Sequence, residues 1–410
     1  MPKQHLAPAP QRVSTGSISR RQFSATTLAA SAAYALRMIA TGNTAAYAAR
    51  AATAKSWNQL PVCPRVHADG RITFLLPVGK SKKAVLTLGG QKPMAMAINA
   101  DGYWHVTTGP LPPEIYSYAF EIDGVRILDP LNPWVKKNLF YPSSLVLVPA
   151  SPPAPWQTTH VPHGTVTEHF YHSPIAADNR NLFVYTPPNY NPLATQQYPV
   201  LYLLHGYSDV ASAWTATGRA NIMLDNLIAA KKANPMIVVM PLGYGDDGVV
   251  SRTGPGLGDK RIFSRNMHNF QDQMFTEIMP LVAQHYQIKS GPAHTAIAGL
   301  SMGGGEALVV GLNNLNSFGW VCGLSSYCGT NGPDFSRVFP HLTSKDNARI
   351  NMLWIACGKR DPIVLKGNRN LNAWLTARDI HFKSIWTPGG HQWRVWRNNF
   401  IHFAPLLFKM

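Results

Sequence analysis

The sequence Gly299-Leu-Ser-Met-Gly-Gly304 lies between an apolar run, which ends at Ala298, and a segment with helical periodicity, which begins at Glu306. This pattern predicts a strand, a sharp turn and a helix. Such a turn exposes its serine at the end of a sheet, and the flanking glycines let backbone approach where a side chain would collide. Ser301 is therefore a candidate nucleophile.

Two further polar residues follow predicted strands downstream of Ser301. Asp361 comes after the buried strand pattern 351–357, and His391 turns off the end of the alternating segment 381–386. The chain order Ser301, Asp361, His391 is that of the α/β-hydrolase catalytic triad. Because a G-x-S-x-G motif alone arises often by chance, the prediction rests on all three residues together.

Each of these residues also has a purely structural interpretation. Ser301 could be a turn serine and His391 a loop histidine. Asp361 could cap a helix that begins at Pro362. If Asp361 has only that role, Asp334 or Asp379 would be the acid of the triad.

An apolar strand pattern, 199–204, ends in His205-Gly206 and predicts an oxyanion loop. Acyl transfer places negative charge on a carbonyl oxygen, which two fixed backbone N–H groups can stabilise. We assign the backbone N–H groups of Met302 and Tyr207 to this role. The His205 side chain is expected to brace the loop rather than to transfer protons.

Candidate substrate contacts come from residues near these loops. His205, Trp214 and Trp393 are the predicted substrate-binding side chains, and the glycine-rich segment 243–270 is expected to shape the acyl and sugar pockets. A loop that is merely solvated explains the segment 243–270 equally well.

The N-terminal segment, residues 1–49, resembles a twin-arginine export signal. It contains Ser19-Arg-Arg-Gln-Phe23 before an alanine-rich stretch, it has no acidic residue, and Ala46-Tyr-Ala48 offers a cleavage site. The apolar stretch is too short to span a bilayer, so we expect no stable membrane insertion. The segment predicts a periplasmic or secreted protein, and the alternative is a basic disordered leader.

The chain is strongly basic, with 37 Lys and Arg against 20 Asp and Glu and a formal net charge of +17. The cations are scattered and no nucleic-acid-binding motif is present, so we expect no nucleic-acid partner. Attraction to an acidic polymer, such as a polysaccharide that bears uronic acids, is one interpretation. A solvated basic face without a particular partner is the other.

The four cysteines fit an oxidising compartment without defining a disulfide framework, because three complete pairings are possible. Cys322 and Cys328 are close enough in sequence to bridge, whereas Cys357 lies in a buried strand pattern and is expected to be a core residue. No spacing of ligands indicates a metal site, and nothing requires an organic cofactor. The sequence leaves the oligomeric state open.

Residues 57–149 contain short alternating segments broken by turns, a pattern typical of a β-sandwich. Trp104 and Trp134 in this region could stack on sugar rings or be partly buried sandwich residues. A proline-rich linker at 150–160 is expected to be extended.

From residue 161 to 410, strand and helix patterns alternate and predict a mainly parallel sheet covered on both faces. They include a helix over Ala220–Lys232, a buried strand over Met236–Met240 and a helix over Asn269–Tyr286 with a kink at Pro280.

Three sequence segments of this larger region carry a family resemblance: Leu204-His-Gly-Tyr-Ser-Asp209, Gly299-Leu-Ser-Met-Gly-Gly304 and Gly390-His-Gln-Trp393. Over Thr165–Phe408 the chain resembles the esterase-D-like α/β-hydrolases, and family-1 carbohydrate esterases in particular. Residues 57–149 resemble the early-set immunoglobulin-like domains grouped with family-48 carbohydrate-binding modules, which precede several of these esterases.

The resemblance implies a serine esterase that removes feruloyl or, second, acetyl groups from a plant polysaccharide such as xylan. Siderophore esterases and mycolyltransferases are similar in their catalytic core, and the siderophore enzymes also carry a β-rich N-terminal domain. A siderophore triester hydrolase therefore remains an alternative, together with acyl transfer to an alcohol and with a noncatalytic polysaccharide-binding protein.

Overall fold

The computed structural model of the protein describes residues 61–77, 81–254 and 256–409. The predicted export signal, residues 1–49, lies outside the described residues. From Val62 to Met410 the chain forms one compact unit. Within it, an all-β region precedes a larger region of alternating strands and helices.

The all-β region pairs its strands in two antiparallel sheets, in the orders β1-β2-β6-β5 and β4-β3-β7-β10-β9, with β8 paired to β7. Alternate residues of β2 and β3 are buried, which places one apolar face of each strand in a shared core. The strands described here are β1 (Arg65–Val66), β2 (Ile72–Leu76), β3 (Ala84–Leu88), β4 (Met94–Ala95), β5 (Ala97–Ile98), β6 (Trp104–Thr107), β7 (Glu114–Ile122), β8 (Val125–Ile127), β9 (Val135–Lys136) and β10 (Ser143–Val148).

The two tryptophans considered for sugar stacking are both engaged inside the protein. Trp104 is buried and donates a hydrogen bond from Nε1 to Ser81 Oγ at 2.7 Å. Trp134 donates from Nε1 to the Ala216 carbonyl at 3.2 Å, and the guanidinium of Arg219 lies 5.6 Å from its ring centroid. These contacts favour a packing role for both rings.

The larger region is built on an eight-stranded sheet with the order β11-β12-β14-β13-β15-β16-β17-β18. Strands β11 and β12 are antiparallel to their neighbours. The other six strands pair in parallel, in the order β14, β13, β15, β16, β17 and β18. Their bounds are β11 (Thr165–Ser173), β12 (Asp178–Thr186), β13 (Val200–Leu204), β14 (Ile237–Pro241), β15 (Thr295–Leu300), β16 (Trp320–Leu324), β17 (Met352–Gly358) and β18 (Lys383–Thr387).

Helices cover both faces of this sheet, so the central strands β13 to β17 are buried throughout. Two apolar clusters lie on the two faces. The predicted α/β-hydrolase class, preceded by a smaller all-β region, is confirmed. The helices described are α1 (Ala213–Ala216), α2 (Ala220–Ala229), α3 (Lys260–Gln273), α4 (Met279–His285), α5 (Ser301–Asn313), α6 (Leu365–Thr376) and α7 (Trp393–Phe403).

The helix predicted to begin at Asn269 begins nine residues earlier, at Lys260. Asp259 caps it, because its Oδ1 accepts hydrogen bonds from Arg261 N at 2.7 Å and Ile262 N at 3.3 Å. The segment 243–270 is therefore a loop only in its first part. A π-helical segment at Met274–Ile278 connects α3 to α4 without a break, and Pro280 lies in the first turn of α4.

The predicted linker has no regular secondary structure, but it is fixed to the protein surface. Gln157 Oε1 accepts hydrogen bonds from Ala150 N and Ala154 N at 2.7 and 2.9 Å. Asn226 of α2 donates from Nδ2 to the carbonyls of Pro155 and Gln157. The linker thus joins the two regions as a packed segment.

All four cysteines are buried free thiols. The bridge considered between Cys322 and Cys328 is absent, and Cys357 lies in the core as expected. None of the helices in the described part of the chain is long and apolar enough to cross a membrane.

One buried ion pair joins the two regions. Arg397 of α7 donates from Nη2 to Glu114 Oε1 at 2.5 Å, and from Nη1 to the Thr217 carbonyl at 2.8 Å. Both side chains are almost inaccessible to solvent. Burial lowers the pKa of the Arg397 guanidinium, and the Glu114 carboxylate opposes that change.

We expect Glu114→Ala to lower the free energy of unfolding by about 3 kcal/mol, because it leaves a guanidinium buried without its counter-charge. Urea denaturation measures the change. Asp69→Ala is the matched control: it removes the exposed ion pair with Arg71 and should cost less than about 1 kcal/mol. Equal losses in the two variants would contradict this account of the interface.

Candidate active site

Ser301 lies in a strained turn between the central strand β15 and helix α5. Its φ angle is +54°, in the left-handed region that side chains rarely adopt. The turn is possible because glycines surround it: a Cβ at Gly299 would lie 2.2 Å from the Gly303 carbonyl oxygen, and one at Gly305 would lie 1.8 Å from the Tyr327 carbonyl oxygen. The strand, turn and helix expected at this sequence are present.

The structure brings Ser301, His391 and Asp361 together. Ser301 Oγ lies 2.9 Å from His391 Nε2, and His391 Nδ1 lies 2.7 Å from Asp361 Oδ2. In this geometry Nδ1 donates to the carboxylate and Nε2 accepts from the serine hydroxyl, which is the tautomer a general base requires. Asp361 follows β17 and His391 follows β18, so the carboxyl ends of neighbouring parallel strands place them side by side.

Asp361 combines the two roles that the sequence left as alternatives. Its Oδ2 contacts His391, while its Oδ1 accepts hydrogen bonds from Ile363 N at 3.0 Å and Val364 N at 3.1 Å. Burial alone would raise the pKa of this carboxyl, but His391 and the two backbone N–H groups hold the pKa below its ordinary value. The alternative acids, Asp334 and Asp379, are both exposed.

The loop after β13 packs directly against the serine. A Cβ at Gly206 would lie 3.3 Å from Ser301 Cβ, and one at Gly303 would lie 2.2 Å from the His205 carbonyl oxygen. Tyr207, whose backbone N–H is a predicted oxyanion donor, is the residue directly after Gly206. The Met302 N–H is in the first turn of α5, where helix amides lack an intrahelical acceptor.

His205 and Trp214, which are predicted to contact substrate, are both enclosed in the structure. His205 is enclosed, with Nδ1 donating to the Gly206 carbonyl at 2.8 Å and Nε2 accepting from Gly243 N at 2.9 Å. Burial lowers the pKa of this imidazole, which keeps it neutral between its two backbone partners. Trp214 is fully buried and donates from Nε1 to the Leu204 carbonyl at 2.9 Å. Both side chains hold the loop from behind.

Trp393 occupies a different position from Trp214. It lines a cavity of about 590 Å³ that His391 also lines. The opposite wall of this cavity comes from the all-β region and includes Glu114 and Tyr116. Contact between Trp393 and substrate stays a prediction.

A family model described as a putative esterase matches residues 173–407 of the chain. The chain belongs to this esterase family. The match includes β12 through α7 and therefore Ser301, Asp361 and His391.

A curated relative of the esterase is an endo-1,4-beta-xylanase/feruloyl esterase from Xylanibacter ruminicola, 27% identical over 354 residues, which are 84% of this chain and 46% of the relative. An uncharacterised protein from Corynebacterium glutamicum is 25% identical over 142 residues, 35% of this chain and 31% of that protein. The chain thus spans less than half the length of each of these curated relatives.

Solved structures with the same fold include two kinds of esterase. A CE1 ferulic acid esterase from Anaeromyces mucronatus has a TM-score of 0.53 and 22% identity, with 62% of this chain and 93% of that chain covered. The enterobactin esterase from Shigella flexneri has a TM-score of 0.58 and 20% identity, with 87% of this chain and 99% of that chain covered.

Two aromatic contacts at the site were not predicted from the sequence. The Trp396 ring packs edge-on against the esterase's His391, with centroids 5.0 Å apart. Phe140 reaches from the all-β region to Tyr207, with ring centroids 5.6 Å apart. Trp396 lies one helical turn after Trp393 and could have been found from that spacing, whereas Phe140 carries no local signal.

The part of the esterase that the structure describes contains no group of three or more His, Cys, Asp or Glu side chains that could hold a metal ion.

A buried carboxyl, Glu306, lies behind the loop that begins at His205. Its Oε1 accepts a hydrogen bond from Asn266 Nδ2 at 3.1 Å, whereas its Oε2 has no hydrogen-bond partner among the described residues. A Cβ at Gly243 would lie 3.1 Å from this Oε2 and 3.6 Å from His205 Nε2, so the carboxyl and the imidazole flank the same glycine. Burial raises the pKa of Glu306 well above its ordinary value, and Asn266 only partly opposes this.

We expect Asp361→Asn to lower kcat by about 10³- to 10⁴-fold, because the amide cannot stabilise the imidazolium. Initial rates on a p-nitrophenyl ester give kcat. Asp334→Asn is the matched control, since Asp334 is exposed and accepts a hydrogen bond from Ser336 N away from His391. Near-normal turnover of Asp361→Asn would remove Asp361 from the triad.

Glu306 predicts a pH dependence of stability. The folded state keeps the proton above the unfolded pKa of about 4.3, so this contribution to stability is complete below that pH and is lost as pH rises toward the raised folded pKa. Glu306→Gln should become more stable relative to wild type as pH rises, by up to about 1.4 kcal/mol per pH unit in that window.

Urea unfolding at pH 4, 5.5 and 7 measures this difference. Exposed Glu121→Gln is the control and should show no such trend. A difference between Glu306→Gln and wild type that is constant with pH would mean that Glu306 is ionised in the folded protein.

Proposed function

We propose that the protein is a serine carboxylic-ester hydrolase that removes acyl groups from plant cell-wall polysaccharide, with feruloyl esters as the first substrate and acetyl esters as the second. The observation that carries this proposal is the hydrogen-bonded series from Ser301 Oγ through His391 to Asp361, at 2.9 and 2.7 Å. It begins at a strained turn in a chain that belongs to an esterase family.

In the proposed mechanism, Ser301 Oγ attacks the ester carbonyl while His391 Nε2 takes its proton. The carbonyl oxygen becomes negative and is stabilised by the backbone N–H groups of Met302 and Tyr207. Asp361, held ionised by its partners, stabilises the imidazolium that forms. His391 then protonates the departing alcohol, and water hydrolyses the acyl-enzyme by the same steps.

The feruloyl substrate is supported by the relative from Xylanibacter ruminicola, whose name includes feruloyl esterase and whose similarity covers 84% of this chain. We propose an ester-decorated polysaccharide or oligosaccharide as the partner. We also propose export through residues 1–49, to the periplasm or the medium.

A siderophore triester is the second candidate substrate. The likeness to the enterobactin esterase fold covers 87% of the chain, against 62% for the ferulic acid esterase, and so extends over more than the hydrolase region alone. The siderophore substrate therefore needs an assay of its own. It does not need a different mechanism, because the same proposed triad would cleave either ester.

We expect wild-type protein to release ferulate from untreated arabinoxylan and Ser301→Ala to lose about 10⁵- to 10⁶-fold of that rate. Chromatography of ferulate and acetate, and cleavage of enterobactin, measure the three substrates in parallel. Ser290→Ala, an exposed serine, is the control for substitution.

Acetate release alone would identify a deacetylase, and enterobactin cleavage alone would move the substrate to siderophores. Transfer to an added alcohol in place of acid release would identify an acyltransferase. Absence of any Ser301-dependent product would overturn the proposed hydrolase and leave a polysaccharide-binding protein.

A further inference from the structure

The cavity beside His391 is lined by charged side chains that have no role in the proposed triad of Ser301, His391 and Asp361. Four cationic side chains line it: Lys136, Arg360, Arg394 and Arg397. The one carboxylate among the lining residues, Glu114, is paired with Arg397.

Two of these cations are free to meet a ligand. Lys136 is 3.4 Å from the buried carboxylate of Asp209, so its charge is already partly balanced. Arg360 and Arg394 are exposed, and neither forms an ion pair within the described residues. The lining therefore has excess positive charge in the part nearest the His391 loop.

The wall of the cavity also includes the end of a helix. Helix α7 begins at this wall, and Gln392 at its N-terminus forms no side-chain cap. A helix N-terminus favours negative charge.

The position of the cavity indicates which half of the ester substrate its cations would contact. His391 Nε2 must protonate the oxygen of the leaving alcohol, so that alcohol departs on the His391 side of the ester. His391 lines the cavity, whereas Ser301 does not. The alcohol half of the ester is therefore the part that extends toward Arg360 and Arg394.

We propose that this cavity, the alcohol-side subsite, binds a carboxylate carried by the alcohol half of the ester. The inference rests on the proposed hydrolase function and narrows its substrate to an ester of an acidic alcohol. Two sources have this chemistry: a polysaccharide that bears uronic acids, and the carboxylate-terminated serine of a partly cleaved siderophore.

The test compares two substrates that differ by a single charge, O-feruloyl-N-acetylserine and its primary amide. They have the same acyl group and the same alcohol oxygen, so the ratio of their kcat/KM values reports the carboxylate alone. We expect the acid to be favoured about tenfold at low ionic strength, from two exposed cations and a helix end, and the ratio to fall with added salt.

Arg394→Gln and Arg360→Gln should each bring the ratio toward one, and Arg394→Lys should retain part of it because the charge remains. Arg261→Gln is the matched control, since Arg261 is an exposed arginine of α3 outside this cavity, and it should leave the ratio unchanged. Equal kcat/KM values for acid and amide in wild type, or a ratio that survives both glutamine substitutions, would overturn the inference while the hydrolase function stands.

Binding to Ser301→Ala separates the two proposals further. Energy transfer from the tryptophans that line the cavity to the feruloyl group reports binding without turnover. Tighter binding of the acid than of the amide, with the difference lost in Ser301→Ala/Arg394→Gln, supports the subsite. If wild type hydrolyses neither ester, that result counts against the hydrolase function and not against the subsite. Equal binding of acid and amide overturns the subsite.

Two further substrate pairs distinguish the sources. One compares feruloylated xylo-oligosaccharides with and without a uronic acid, and the other compares linear dihydroxybenzoylserine trimer with its amide. The pair with the larger Arg394-dependent ratio identifies the natural alcohol, and a ratio of one in both pairs contradicts the subsite.

Discussion

The left-handed backbone of Ser301 is the constraint on which the site depends. A side chain at φ +54° costs of order 1–3 kcal/mol, which the surrounding structure must offset. Parallel pairing of β15 with β13 and β16 fixes the strand, and the Ser301 carbonyl accepts a hydrogen bond from Tyr327 N at 3.0 Å. The turn aims the hydroxyl at His391, starts α5 at the Met302 amide and brings Gly303 against the His205 carbonyl. One strained residue thereby positions the Ser301 hydroxyl and its contact with the His205–Gly206 loop together.

Backbone groups supply most of the hydrogen bonds to the Asp361 carboxylate and the His205 imidazole. Asp361 uses one oxygen for two backbone amides and the other for His391, while His205 forms both of its hydrogen bonds with backbone. Such partners cannot rotate away, so the carboxylate stays ionised and the imidazole stays neutral. Glu306 is the contrast, since one of its oxygens has no partner in the part of the chain that the structure describes, and burial favours its protonated form.

The triad was predictable because its members follow strands that lie side by side, and a parallel sheet gathers its carboxyl ends at one edge. The burial of Trp214 could not be predicted in this way, because a tryptophan near an active-site motif is equally compatible with a pocket and with the core. The start of α3 was missed although Asp259 supplied a cap signal, because the glycines before it, Gly254, Gly256 and Gly258, favoured a loop. Phe140 and Arg394 could not be assigned from sequence, since their roles arise from contacts between distant segments.

The ion pair between Arg397 and Glu114 also limits how readily the hydrolase region can be separated from the all-β region during evolution. Some enzymes of the same fold are shorter chains: the ferulic acid esterase from Anaeromyces mucronatus is nearly all covered by 62% of this one. Here the guanidinium of Arg397, on helix α7 of the hydrolase region, is paired with Glu114 of the all-β region. A gene rearrangement that moved the hydrolase region alone would also require a substitution at position 397. The two regions are therefore expected to be retained or exchanged together in evolution, as a single heritable unit.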